Sequence, residues 1–354
     1  MIVHGELHDL LMSASGARVA TFDEWVVRRS EWLAQVVDLV YGGLPPRPDR
    51  VQVRVRSKAR VRRLPGEPSL TVYGVRADLG GGHVDIGLQL LAPRRAQRLP
   101  VVIDPDACWW NLDDASVVAF LNAGVVLARF DRTEVVPDLD ATVPVVGERV
   151  GGLYDLVPDH GFGALAAWAW GVHTVVDALS ILATSRTLPV DDYLIDPDRL
   201  AITGFSRGGK AALLAGATDP RLGLVHAHAS GAGGAAPFLL AGAGSEGMRV
   251  VERFPGWFGP RLTEFVGREA ELPVDQHALL AAVAPRPLLL TCGSEDLWAN
   301  PAGTEQAARA AGAVARLLGS PEGIEFRLRP GGHHHGPEDW STLLAFVGEH
   351  WFAR

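Results

Sequence analysis

The chain has 354 residues, 47% of them hydrophobic, with 41 acidic side chains against 33 Lys and Arg and a formal net charge of -8. That length supports a sizeable core in one large α/β domain or two small ones, and the negative balance argues against nucleic acid, whose binding is driven by phosphate neutralisation. Two cysteines, Cys108 and Cys292, are too few for a disulfide framework or a cysteine zinc cage. The first residues lack a basic stretch followed by an apolar run, so a cytoplasmic protein is expected, or a secreted one if a signal was trimmed.

Phe22, Trp25, Val26, Leu33, Val36, Val37 and Val40 recur at helical spacing, and Gly42-Gly43 with Pro45-Pro46 stops the run. This predicts a helix that covers the main domain. Val51, Val53 and Val55 then alternate with Gln52, Arg54 and Arg56, which means a strand with one wet face, and the arginines suit a solvated edge that resists aggregation. Residues 70–77 and 84–91 read as two further strands, antiparallel neighbours. From Leu99 the pattern changes: 100–103 and 125–128 are unbroken apolar runs with a helical stretch between them, as parallel strands buried on both faces require. Residues 161–184 are almost long enough to cross a bilayer, but His173 and Asp177 interrupt them, so a buried packing helix is expected and no membrane partner. Residues 198–203, 222–228, 287–291 and 325–328 supply more strands. Strands alternating with helices imply a doubly wound, mostly parallel sheet in an α/β three-layer sandwich, with the antiparallel strands at its N-terminal side. Residues 1–50 are expected to be a helical extension packed on one domain, 51–354.

Ile202-Thr203-Gly204-Phe205-Ser206-Arg207-Gly208-Gly209-Lys210 joins a strand to the small-residue segment 211–216, so it reads as strand, sharp turn, helix. Gly204 to Gly208 fits G-x-S-x-G, the nucleophile elbow, in which glycines flank a serine because the turn leaves no room for Cβ atoms. The helix after it aims N–H groups and a partial positive charge at an oxyanion formed on an attacked carbonyl. A serine hydroxyl is a poor nucleophile until an imidazole takes its proton, and that imidazole needs a carboxylate to fix its tautomer. The chain order Ser, acid, His is available. The strand at 287–291 runs into Glu295 and Asp296, and the one at 325–328 into His333-His334-His335. Asp296 is favoured over Glu295 and His333 over His335, with both pairs open. Three consecutive histidines cannot converge on one ion, so no metal or other cofactor is expected. The loop 104–110 has no glycine, and Pro105 carries no N–H, so a second oxyanion donor must come from elsewhere. Arg207, beside the serine, is the obvious cation.

Gly204-Phe205-Ser206-Arg207-Gly208-Gly209-Lys210 resembles the G-x-S-R-x-G-K signature of the glucuronoyl esterases, carbohydrate esterase family 15, within the α/β-hydrolases. The likeness continues through 166–171, Ser230-Gly231-Ala232-Gly233-Gly234-Ala235-Ala236, 254–258, 272–277, 284–287, 295–301 and Asp339-Trp340, covering roughly residues 150–345. It implies a serine carboxylesterase acting on a small-molecule or oligosaccharide ester of glucuronic acid. Ser206 would be the nucleophile, His333 the base and Arg207 the oxyanion residue; Lys210, Glu246 and Trp298 would contact the sugar. In one branch of the family the acid directly precedes Ser-Gly-x-Gly-Gly. Here that position is Ala229, which implies that Asp296 is the acid. Lys210, one turn beyond Ser206, is expected to reach over the site.

Overall fold

Among the described residues the alternating and the unbroken apolar runs end up in one nine-stranded sheet, ordered β1-β2-β3-β5-β4-β6-β7-β8-β9. The structure is a computed structural model and describes residues 5–94, 97–109, 111–138, 149–185 and 194–352; Trp110 of the loop noted above lies outside them. The strands are β1 Arg50–Arg60, β2 Ser69–Leu79, β3 Gly82–Ala92, β4 Arg98–Asp104, β5 Val126–Arg129, β6 Leu194–Ile202, β7 Leu222–His228, β8 Leu288–Gly293 and β9 Ile324–Arg329. β1, β2 and β3 pair antiparallel, β3 joins β5 antiparallel, and β5, β4, β6, β7, β8 and β9 are parallel. The hairpin expected from 70–77 and 84–91 is present, with Gly74 opposite Gly87. β1 is the edge strand, and its arginines are exposed while its valines are half-buried.

The helices are α1 Phe22–Tyr41, α2 Asp114–Asn122, α3 Leu153–Leu156, α4 Ala164–Thr184, α5 Arg207–Thr218, α6 Arg249–Arg253, α7 Gln276–Ala281, α8 Pro301–Leu317 and α9 Pro337–Trp351. Period two on the buried strands sends alternate side chains into two separate cores. Val101, Ile103, Val126, Ala128, Leu200, Ile202, Leu288 and Leu290 face the core built with α1, α4, α5, α7 and α8, while Val102, Leu127, Ala201 and Leu289 face the core under α2 and α9. That is the three-layer sandwich expected from the sequence.

α1 starts with a Thr21–Glu24 capping box and packs on α7. Trp25, Trp32, Val36, Leu39, Val40 and Tyr41 join the larger core, whereas Phe22 and Val26 of the expected stripe stay exposed. α4 is long and apolar enough to cross a membrane, but 78% of its most apolar window is buried inside the fold, as a core helix requires. Cys292 is buried; Cys108 is half-buried, and Arg132 Nη1 donates to its Sγ at 3.2 Å.

Candidate active site

Parallel strands collect their loops at one end of the sheet, and there the expected residues meet. β6 feeds the elbow. Ser206 has φ 54° and ψ -120°, the left-handed region that a non-glycine residue occupies only when its surroundings impose it. Two contacts impose it here. A Cβ on Gly204 would strike the Gly208 carbonyl, and one on Gly208 would strike the Asp106 carboxylate, so only glycines let the turn close. Ser206 N–H donates to His228 O at 2.8 Å, and Phe205 N–H to Asp106 Oδ2 at 2.8 Å.

His333 Nε2 lies 3.0 Å from Ser206 Oγ, and its Nδ1 lies 2.7 Å from Asp296 Oδ2. A carboxylate only accepts, so Nδ1 carries the proton and Nε2 is left as the acceptor for the serine hydroxyl. Asp296 is 2% exposed, and its other oxygen accepts from Ala299 N–H at 3.1 Å. Burial alone would raise its pKa, but the hydrogen bond and charge of His333, helped by the Ala299 N–H, bring it below the usual carboxylate range. Glu295 points to solvent. His335 is engaged elsewhere: its Nδ1 accepts from Asn111 Nδ2 at 2.8 Å, its ring stacks on Trp340 at 4.5 Å, and burial pushes its pKa well down. Ala229, with φ 47°, lies in a small apolar cluster with Cys292 and Ala299.

On the opposite side of Ser206, Arg207 is held by charge. Its Nη1 donates to both oxygens of Asp138, at 3.1 and 3.0 Å, and its guanidinium lies 4.5 Å from the centre of the Trp257 ring. Asp138 also accepts from Trp257 Nε1 at 3.3 Å and Arg132 Nη2 at 3.2 Å. Arg132 is fully buried between Trp109 and Trp168 and pairs with Asp106, the carboxylate beneath the elbow. Burial lifts the Asp106 pKa to about 6, with Arg132 opposing the rise. Arg207 Nε is buried with no partner among the described residues, while 28% of the side chain is exposed.

Lys210 is a correction. Its amine does not reach over the site but turns inward, 2% exposed, donating to Ser230 O and Ala232 O at 2.7 Å each and to Glu246 Oε2 at 2.6 Å. An ammonium has three protons, and here all three are used. Burial pushes the amine's pKa down and the Glu246 carboxyl's up, each partner working against the shift. Glu246 N–H donates to Trp298 O at 2.9 Å, which brings these two residues together; Trp298 is 37% exposed with Arg253 5.3 Å from its ring centre.

Two groups escaped the sequence reading. Asp106, Arg132 and Asp138, 26 and 6 residues apart, carry no spacing signal. His226 and His228 stood in an apolar strand, and their alternation, which puts both on one face of β7, was the only hint. Among the described residues His334, Glu338 and Asp339 bring ligand atoms close enough for a metal ion, but Arg329 Nε already occupies Asp339 Oδ1 at 2.7 Å, and a guanidinium in that trio repels a cation.

A serine on an elbow at the carboxyl end of a parallel strand, with imidazole and carboxylate in series behind it, defines an α/β-hydrolase. The family model "Glucuronyl esterase, fungi" matches residues 75–319. A 4-O-methyl-glucuronoyl methylesterase of Schizophyllum commune is 30% identical over 90% of this chain and 75% of its own length. Carbohydrate esterase MZ0003, from an unknown prokaryote, is 37% identical over 55% of this chain, a match that spans 46% of that protein. The solved glucuronoyl esterase of Solibacter usitatus superposes with a TM-score of 0.81 at 26% identity, covering 99% of each chain. The chain belongs to the glucuronoyl esterases, carbohydrate esterase family 15.

Proposed function

We propose that this protein is a serine esterase that hydrolyses esters of glucuronic acid or its 4-O-methyl ether. The observation that carries the reading is the continuous series Ser206 Oγ, His333, Asp296, with links of 3.0 and 2.7 Å. Ser206 attacks the ester carbonyl while His333 Nε2 takes its proton, and Asp296 holds the ring and steadies the imidazolium. Negative charge that develops on the carbonyl oxygen meets the permanent charge of the partly exposed Arg207, where a low-dielectric setting magnifies the attraction. His333 then protonates the leaving alcohol, an acyl-enzyme forms on Ser206, and water activated by the same imidazole releases the uronate. Glu246, braced by Lys210, is suited to accept from sugar hydroxyls, and the exposed Trp298 face is suited to pack on a pyranose ring. The relatives lend the cytoplasmic expectation no support.

A substrate panel tests this reading. Methyl glucuronate should be turned over well above acetylated xylose, with 4-nitrophenyl acetate as a sugar-free reference. Preference for acetylated xylose would make the protein a sugar deacetylase with the same machinery. A fluorophosphonate should label the folded protein and fail to label Ser206→Ala; labelling of that variant would remove Ser206 as the nucleophile.

A further inference from the structure

His228, the last residue of β7, has no part in the chemistry above, yet it touches both halves of the machinery. Its backbone N–H donates to Gly204 O at 2.9 Å and its carbonyl accepts from Ser206 N–H at 2.8 Å, so its main chain grips the elbow on either side of Phe205. Its ring is fully buried. Nε2 lies 2.7 Å from the carbonyl oxygen of His334, the residue after the base, and Nδ1 lies 2.8 Å from Thr291 Oγ1. A carbonyl can only accept, so Nε2 carries the proton and Nδ1 accepts from the Thr291 hydroxyl. That assignment propagates through the sheet. Thr291 Oγ1, its own proton committed, accepts from His226 Nε2 at 2.8 Å, and His226 Nδ1 accepts from the Thr203 hydroxyl at 2.8 Å.

Four hydrogen bonds therefore run from Thr203, just before the elbow, across β7 and β8 to the loop after β9. Both imidazoles are neutral in this scheme. Burial pushes His226 down to about 3, and burial also lowers His228, against the pull of Asp339, whose Oδ1 lies 3.6 Å away. Arg329 Nη2 donates to the same His334 carbonyl at 2.7 Å, filling its second lone pair. The Phe205 ring packs between, 5.4 Å from the His228 ring and 4.9 Å from that of His333.

We propose that His228 is a positioning residue that locks the nucleophile elbow and the histidine loop to one another, setting the approach of His333 Nε2 to Ser206 Oγ. The proposal rests on the reading of Ser206 and His333 as nucleophile and base, but not on the sugar specificity. A displacement of about 1 Å between reacting groups can cost a hundredfold in rate, which is the scale at which such a tie matters.

The test uses two amides of different reach. Asparagine offers an amide where Nδ1 stands and nothing that extends to His334; glutamine extends an N–H towards the Nε2 position. His228→Asn is expected to lower kcat by roughly tenfold to a hundredfold, by the same factor on methyl glucuronate and 4-nitrophenyl acetate, with KM within about twofold. His228→Gln should recover most of that loss. The downfield proton resonance of His333 Nδ1–H should broaden in the asparagine variant and return in the glutamine one. Thr291→Val, which keeps the shape and removes the hydroxyl that fixes the His228 ring, should show a smaller fall in kcat in the same direction. Equal losses in the two amide variants, a rise in KM with kcat intact, or wild-type kcat in either His228→Asn or Thr291→Val would overturn the proposal. If His228→Asn does not fold, the kcat of Thr291→Val decides. If methyl glucuronate is not a substrate, the uronate reading falls and the acetate arm still decides the role of His228.

Discussion

The two sides of Ser206 are held by different physics. On the base side, the His333 loop is tied to the sheet by neutral hydrogen bonds among buried imidazoles and threonines, joined at the His334 carbonyl by the Arg329 guanidinium, and Asp296 is the charge hydrogen-bonded to the His333 ring. On the oxyanion side, Arg207, Asp138, Arg132 and Asp106 form alternating charges sandwiched by aromatic rings. In the proposed mechanism the base changes protonation state in every cycle, and the neutral imidazole chain behind its loop lets it do so without a compensating shift. Arg207 never gives up its proton, so strong ion pairs can hold it without interfering. On the proposed mechanism, one site thus separates a side suited to proton transfer from a side suited to permanent charge.

The largest expected effect breaks the base side. Asp296→Asn should lower kcat by about 10⁴, because the ring would be left in the wrong tautomer, whereas Glu295→Gln, at a solvated position, should change it little. The reverse order in steady-state kinetics would transfer the orienting role to Glu295.

Next comes the charged side. Arg207→Met should lower kcat by about 10² to 10³, the usual range for loss of an oxyanion donor. Asp138→Asn should cost less, and in the Arg207→Met background it should lower kcat little further if Asp138 acts on the reaction through Arg207, its remaining bonds being to Arg132 and Trp257. Additive losses in that double-mutant cycle would mean that Asp138 acts independently of Arg207.

A third comparison separates the proposed reacting groups from the proposed sugar contacts. Lys210→Met leaves the Glu246 carboxyl buried without its cation, which should destabilise the fold by about 3 to 5 kcal/mol and lower kcat/KM on methyl glucuronate by roughly tenfold to a hundredfold. Hydrolysis of 4-nitrophenyl acetate, measured below the melting transition, should barely change. Trp298→Ala should show the same selectivity with little loss of stability, since that side chain is partly exposed. Equal losses on both substrates would remove these residues from sugar recognition.

The smallest effect is a slope. The folded pKa of His226, about 3, lies below the ordinary value of 6.5. Its contribution to stability is therefore complete above pH 6.5 and is lost as the pH falls towards 3, at up to about 1.4 kcal/mol per pH unit. Calorimetric melting between pH 7 and 4 should thus fall more steeply for the wild type than for His226→Gln. Parallel slopes would mean that the buried imidazole chain is not neutral in the folded protein.

Much of this site was legible because some chemistry is local. The elbow needs glycines within two residues of its serine, and the acid and histidine follow directly from strand ends, so Ser206, Asp296 and His333 could be read in order. Lys210 was legible as a residue but not as a direction. One helical turn from Ser206 allows its amine to point over the site or beneath it, and only the carbonyls of Ser230 and Ala232 decide that it points beneath. Partnerships such as Arg207 with Asp138, 69 residues apart, leave no pattern at all.

By itself the sequence determined what repeats along the chain: period two on β1 to β3, unbroken runs on the parallel strands, the elbow turn and the order of the three residues proposed to react. Each follows from backbone geometry within a few residues, which any chain with that pattern must obey. The tertiary structure decided which polar groups are dry and who satisfies them. A buried donor or acceptor must find a partner wherever the fold brings one, so the proton order from Thr203 to His334, the charges around Arg207 and the inward turn of Lys210 came into being only when distant strands closed into a single sheet.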